Sequence, residues 1–329
     1  MRVVLTGAAG FIGSHLAERL LGRGDEVIGF DNFDQAYARE IKQENLASVA
    51  RVGGRFSFVE GDVRDEAAFE RCFAPEAPDV VVHLAALAGV RPSLVEAGRY
   101  VDVNLTGTQR VLDVCARRYV GRLVFASSSS VYGQGSRLPF RESDPCLEPL
   151  SPYAATKRAG ELLCFTAHHL SGLSVTNLRF FTVYGPRQRP DLAIYKFTQK
   201  LLAGEPLSLY GDGESSRDYT WVGDIVDGCV AALDQLAAAD SAHPHFRTYN
   251  LGGTQATSLS RMVALLEAAV GQPARIERLP PQAGDMTRTL ADVSLAAREL
   301  GYAPRVSIDE GIERFVRWFR DARGNTRAA

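Results

Sequence analysis

No run of apolar residues in the 329-residue sequence approaches the roughly 20 that a membrane-crossing helix needs. There is no basic cluster either. Lysine and arginine number 37 against 39 aspartates and glutamates, for a formal charge of −2. Binding a nucleic-acid backbone relies on concentrated positive charge, so neither nucleic acid nor a membrane is expected as a partner. Cysteine is scarce: Cys72, Cys115, Cys146, Cys164 and Cys229 are odd in number and include no CxxC pair. That spacing offers no zinc framework and fits reduced thiols in a reducing compartment. The six histidines lack metal-ligand spacing as well. His168 and His169 are adjacent, so their rings diverge by about 100° on a helix, and His243 and His245 sit in an Ala/Pro-rich stretch. No metal is expected. Residues 1–13 loosely mimic a signal peptide, yet the apolar run breaks at Thr6-Gly7 and a glycine-rich turn follows. The segment reads as a first strand, and the cytoplasm is the expected location.

What is present is an alternation of strands and helices. Short β-branched runs at residues 2–5, 26–30, 55–59, 79–84, 122–126 and 174–180 are separated by helical stretches at 11–21, 38–52, 66–73, 99–118 and 153–170. Continuous Val/Ile/Leu strands between helices predict an α/β fold, a doubly wound parallel sheet buried on both faces. Beyond residue 180 the chain is richer in Gly and Pro, with helices expected at 193–202, 224–238, 259–270 and 309–321. The Ala-rich stretch 236–243 reads as a loose surface connection. At roughly 150 residues per domain the length suits two units. The expected division is a first unit over 1–180 and a smaller second lobe over 181–329, parts of which are expected to return to the sheet.

Between the first strand and first helix stands a GxxGxxG turn formed by Gly7, Gly10 and Gly13, with Phe11 and Ile12 inside it. Such a turn lets backbone approach a pyrophosphate at a helix N-terminus, the Rossmann arrangement. Asp31 closes the second strand, where a carboxylate accepts the ribose hydroxyls of NAD and repels a 2′-phosphate; the neighbouring Asn32 adds no positive charge. NAD is therefore expected as the cofactor. Asp62 and Val63 follow the third strand and are candidates for the adenine contact. Leu84, Ala85 and Ala86 follow His83 at the end of the fourth strand, where small residues leave backbone free to meet the cofactor. Asn104 is unfavourable inside a helix. It holds the neighbouring strand or the cofactor, or it faces solvent.

Tyr153 and Lys157 lie at i and i+4, on one helix face. An ammonium beside a phenol favours the phenolate, so the tyrosine pKa is expected to fall. The serine run 127–130 ends the fifth strand and supplies a hydroxyl able to share the proton. With these motifs in order the sequence resembles the NAD-dependent nucleotide-sugar epimerases of the extended short-chain dehydrogenase/reductase family. The resemblance runs through GAAGFIG at 7–13, DNF at 31–33, HLAA at 83–86, SSSSVYG at 127–133 and SPYAATK at 151–157. It continues through LRFFTVYGPRQRPD at 178–191, GDGESSRDYTWVGDI at 211–225, NLGG at 250–253 and QAGDMTRTLAD at 282–292. It implies a catalytic set of Ser128, Tyr153 and Lys157, with Tyr153, Lys157 and Phe180 also against NAD. It further implies a uridine-diphosphate-sugar site in the C-terminal lobe, to which Arg189, Arg217, Asp285 and Arg288 are assigned.

Dehydratases and decarboxylases of this family carry an acid in the strand-end segment, and this segment has none. The FFTVYGP and RPD motifs, and the segment with Tyr37, Lys42 and Leu46, are most similar to the branch that epimerises UDP-glucuronate at C4 to UDP-galacturonate. Leu87 departs from that branch, in which glutamine is expected. Ser128, Ser129 and Thr182 then offer hydroxyls to a sugar carboxylate. The alternatives are 4-epimerisation of UDP-glucose or UDP-N-acetylglucosamine, or a non-catalytic NAD-binding regulator. The resemblance also implies a homodimer through helices 99–118 and 153–170.

Overall fold

The computed structural model describes residues 1–134, 136–239, 243–280 and 286–323. In chain order the first half runs β1 (Arg2–Thr6), α1 (Phe11–Gly22), β2 (Glu26–Asp31), α2 (Arg39–Arg51), β3 (Arg55–Glu60), α3 (Glu66–Glu70) and β4 (Val80–His83). Then come α4 (Val90–Val95), α5 (Ala97–Val101), α6 (Gly107–Arg117), β5 (Arg122–Ser128), α7 (Pro152–Ser171) and β6 (Ser174–Phe180). The second half contains β7 (Thr182–Tyr184), α8 (Ala193–Ala203), β8 (Leu207–Tyr210), β9 (Ser216–Trp221), α9 (Val222–Ala238) and β10 (Phe246–Leu251). It ends with β11 (Ala256–Ser258), α10 (Leu259–Val270), β12 (Ile276–Leu279), α11 (Ser294–Leu300) and α12 (Ile308–Arg323).

Seven strands form one parallel sheet in the order β10-β6-β5-β4-β1-β2-β3. The expected doubly wound α/β architecture is the observed one. Every residue of β4 and of β6 is buried, as a strand covered on both faces requires. On one face Leu16, Leu20, Val226, Cys229 and Leu233 pack beneath β1 and β6; on the other Phe69, Val111, Cys115 and Cys164 pack against β2, β4 and β5. The strand order reverses between β1 and β4, and a cleft opens at the carboxyl ends there. α7 starts cleanly because the Ser151 hydroxyl accepts from the Ala154 N–H and Pro152 follows, and it stops at Gly172 in a left-handed conformation (φ 71°).

Three sequence expectations change. The stretch 99–118 is not one regular helix: a π-helical turn, Asp102–Thr106, separates α5 from α6. The wide turn turns Asn104 inward, where it is buried and bonded. Residues 236–238 belong to α9 rather than to a loose connection, because Leu236 is fully buried under the sheet. Four of the strands after residue 180 are too short to stand out in the sequence, β7 and β11 with three residues and β8 and β12 with four, whereas β9 and β10 have six. β7, β9 and β11 make a three-stranded sheet and β8 pairs with β12, around an apolar centre of Ile194, Leu207, Leu209, Met262 and Phe315.

Candidate active site

A cavity of about 720 Å³ occupies the cleft above β1, β4 and β5. At its floor, Gly7 takes φ 74° and donates its N–H to the Phe30 carbonyl at 2.8 Å. A Cβ on Gly13 would lie 2.1 Å from the Gly7 oxygen, and one on Gly7 2.9 Å from the Ala85 nitrogen. No side chain caps α1 at Gly10 and no acid stands in its first turn. The helix therefore offers bare N–H groups and its positive end to an anionic diphosphate. Gly7, Gly10, Phe11, Ile12 and Gly13 all line the cavity.

Asp31 is aimed by its own turn: Oδ2 accepts from the Ala9 N–H at 3.2 Å and Oδ1 from the Phe33 N–H at 2.8 Å. Burial raises its pKa, and the Lys42 ammonium chiefly opposes that. Asn32, Val63, Leu84, Ala85, Ala86 and Phe180 line the same cavity. Two expected cofactor residues do not. The Asp62 carboxylate is taken by Arg64 and by Asn32 Nδ2, at 2.8 Å, and is held below the ordinary range, to about 2, mainly by Arg64. Asn104 accepts from the Leu87 N–H at 2.8 Å and donates to the Leu87 carbonyl at 2.9 Å and to Thr156 Oγ1. It pins the β4–α4 loop to α7 and lies behind the cavity wall.

Ser128, Tyr153 and Lys157 converge on the cavity from the end of β5 and the first turns of α7. The Ser128 hydroxyl accompanies Tyr153 at the cavity and favours its ionised form. The expected drop in the tyrosine pKa is not found, because burial pushes it up and outweighs the Ser128 hydroxyl and the Arg189 charge. Lys157 is turned to the strand instead. Its Nζ donates to the Ala126 carbonyl at 2.8 Å and lies 5.2 Å from the Phe125 ring centroid. Burial lowers it to about 8, against Cys164 and Glu161. His83, between Thr6 Oγ1 at 2.8 Å and Thr108 Oγ1 at 3.1 Å, is lowered by burial to about 3 and stays neutral.

On the substrate side, Ser129, Thr182, Arg189 and Arg217 line the cavity. Arg189 is bound through two bonds to Asp191 and donates to the Ala88 carbonyl at 3.0 Å, and its charge acts on both Tyr153 and Tyr37. It therefore stands within electrostatic reach of Tyr153 and Tyr37 on the cavity wall. Arg288 does not line the cavity; its backbone bridges to Ser216 and its side chain is exposed. The neighbouring Met286 and Thr289 face the site in its place. Asp285 lies outside the described residues.

The model of the NAD dependent epimerase/dehydratase family matches residues 3–252. The chain belongs to that family. NAD is accordingly its cofactor. A probable UDP-glucuronate 4-epimerase of Rhizobium meliloti is 40% identical over 331 residues, covering 97% of each chain. The solved structure of a UDP-glucuronic acid 4-epimerase from Bacillus cereus, in complex with UDP-glucuronic acid and NAD, superposes with a TM-score of 0.89 at 35% identity. That match covers 98% of this chain and 100% of the other. A UDP-glucose 4-epimerase from Thermotoga maritima, solved with UDP-glucose, gives 0.87 at 32% identity, with 98% and 99% covered.

Within this epimerase family the site has features that spacing alone did not assign. Tyr37 lines the cavity with a buried hydroxyl that has no hydrogen-bond partner. That orphaned group fits a cavity built to receive a polar ligand. Lys42 donates to the Asp34 carbonyl at 2.6 Å and stacks over the Tyr37 ring at 4.7 Å. The signal was in the polar segment after Asp31, whose tyrosine and lysine are spaced to return to the same pocket. Leu87, Tyr100 and Val103 form a small apolar cluster against Tyr153, so the departure at Leu87 packs the Tyr153 ring.

Proposed function

We propose that this NAD-dependent UDP-sugar 4-epimerase takes UDP-glucuronate and UDP-galacturonate as its substrate pair, through a transient 4-keto sugar. The observation that carries the reading is the lining around Tyr153. Hydroxyls of Ser128, Ser129, Ser130 and Thr182 and the Arg189 guanidinium, itself paired with Asp191, line the same cavity as Tyr153, with no carboxylate in the strand-end segment. A sugar carboxylate would meet donors and a cation there, and no acid stands ready for elimination. NAD held by the Gly7–Gly13 turn and Asp31 would supply a hydride acceptor for C4 of the sugar and, once reduced, a hydride donor for the keto sugar.

The chain's own residues handle the proton. Tyr153 removes it from the C4 hydroxyl and gives it back after the keto sugar has turned, while Ser128 shares the hydrogen bond. Lys157 keeps a positive charge behind the tyrosine. Gly7–Gly13 and Asp31 hold the cofactor's diphosphate and ribose; Arg217, from the C-terminal lobe, is assigned to the nucleotide diphosphate. The division near residue 180 separates cofactor from sugar binding. All five cysteines are free and buried, which suits work in the reducing cytoplasm. Half-exposed Val101 on α5 and Leu162 and Phe165 on α7 support a homodimer across these packed helices.

The test is incubation of purified protein with UDP-glucuronate, UDP-glucose and UDP-N-acetylglucosamine, followed by separation of products. UDP-galacturonate from the first, at a kcat/KM at least tenfold above the others, is expected. A neutral sugar turned over better would move the assignment to the UDP-glucose reading. No epimerised product from any of the three would remove the catalytic reading.

A further inference from the structure

A buried ionic cluster lies directly behind the catalytic side chains. Glu161 occupies the third position of an i, i+4, i+8 series after Tyr153 and Lys157, so all three share one face of α7. Its side chain is 2% exposed, and its partner Arg179, on β6 next to Phe180, 3%. Arg179 reaches both carboxylate oxygens, at 2.8 and 2.9 Å. Ser127 Oγ donates to Oε1 at 2.6 Å and Arg158 to Oε2 at 2.9 Å. One carboxylate thus ties together α7, β5 and β6 at the point where Tyr153, Ser128 and Phe180 enter the cavity. None of its own atoms reaches the cavity.

The charge count gives this carboxylate a second consequence. Lys157 and Arg179 are buried cations and Arg158 a partly exposed one, and Glu161 is the anion that pairs with both arginines and acts on Lys157. Lys157 faces Cys164 and Glu161 from α7, His83 from β4, and the Phe125 ring and Ala126 carbonyl from β5. Burial raises the Cys164 thiol far above neutrality and holds His83 neutral, so neither carries charge in the working range. Glu161 itself is held ionised by Arg179, Ser127 and Arg158, against burial.

We propose that Glu161 is a positioning residue for the reaction: it fixes the strand-end serines through Ser127 and keeps Lys157 protonated behind Tyr153. This rests on Tyr153 and Lys157 being the working pair, and not on which UDP-sugar is turned over.

The chain has four lysines, Lys42, Lys157, Lys196 and Lys200, so the Lys157 ammonium can be followed by NMR of ε-13C-lysine, its signal assigned by its loss in Lys157→Arg. Two substitutions push in opposite directions. Glu161→Gln removes the anion and is expected to lower the Lys157 midpoint by about one pH unit. Arg158→Gln frees Glu161 Oε2 from one of the cations that share its charge, leaving more of that charge to act on Lys157, and is expected to raise the midpoint by roughly half a unit. The high-pH limb of kcat should move with each midpoint. Should Glu161→Gln fail to fold, with Arg179 left unpaired, Arg158→Gln still decides, because its side chain is 28% exposed and the Glu161–Arg179 pair survives. Midpoints unchanged in the folded variants would overturn the electrostatic role. Midpoints that move while the kcat profile stays fixed would overturn the catalytic consequence. Absence of turnover in the wild type would instead sink the activity assignment and leave the NMR result standing.

Discussion

Replacing Tyr153 by phenylalanine keeps the ring that packs against Leu87, Tyr100 and Val103 and deletes only the hydroxyl. Turnover is expected to fall roughly 10²–10⁴-fold with NAD binding and circular dichroism unchanged; turnover within threefold of wild type would take Tyr153 out of the mechanism. Thr182→Val is a sharper probe of the substrate. It keeps size and branching and removes one donor. A hydrogen bond to a charged group contributes about 1.5–3 kcal/mol, so UDP-glucuronate turnover should drop roughly ten- to 150-fold. The 4-keto intermediate of that substrate is a β-keto acid, and a carboxylate less firmly held should lose carbon dioxide, giving a pentose product detectable by mass. Full activity with no pentose would reduce Thr182 to packing. Tyr153, Lys157 and Ser128 meet at one cavity, as expected from the sequence, because helical spacing and a strand end fix which way they point. Asp62, Asn104 and Arg288 were expected at the site and do not line the cavity, because a motif fixes backbone position, whereas Arg64, the Leu87 loop and solvent decide where those side chains go.

At the scale of elements, the catalytic set depends on how α7 begins. The Ser151 cap and Pro152 define the first turn, and Tyr153 belongs to that turn. Ser151→Ala should destabilise the protein by about 1 kcal/mol, lowering Tm by about 2 °C. A larger effect is expected on kcat than on NAD affinity, because the glycine turn and Asp31 lie on other elements. Equal losses in both would mean that the cap supports the sheet and not the tyrosine in particular. The parallel sheet was readable from its long β-branched runs, and α10 from its apolar period. The π turn at Asp102–Thr106 was not, since a one-residue widening leaves the 3.6-residue pattern on either side nearly intact. The strands of the C-terminal lobe escaped for a different reason. β7 and β11 have three residues each, too few for alternation to stand out from a loop.

For the molecule as a whole, the two faces of α7 carry different duties. Its inner face presents Tyr153, Lys157 and Glu161 to the sheet and the cavity, while Leu162 and Phe165 are 53% and 51% exposed. Phe165 meets Phe246 edge-on, with ring centroids 5.2 Å apart, and so links α7 to β10, the strand that the C-terminal half returns to the sheet. α5 packs against α7 and exposes Val101, which gives a neighbouring copy a helical surface to cover. Leu162→Glu combined with Phe165→Glu would bury two unpaired charges in such an interface, each desolvated at a cost that apolar contact could not offset. On the proposed homodimer, the wild type is expected to sediment as a dimer and the double variant as a monomer. Because Ser128, Thr182, Arg189 and Arg217 reach the cavity from the same chain as Tyr153, the monomer should keep NAD binding and measurable turnover. Its Tm should nevertheless fall, since α7 loses cover on the side away from the sheet. A variant that stays dimeric places the interface on other helices; one that is monomeric and inactive with its fold intact makes the second copy part of the catalytic unit.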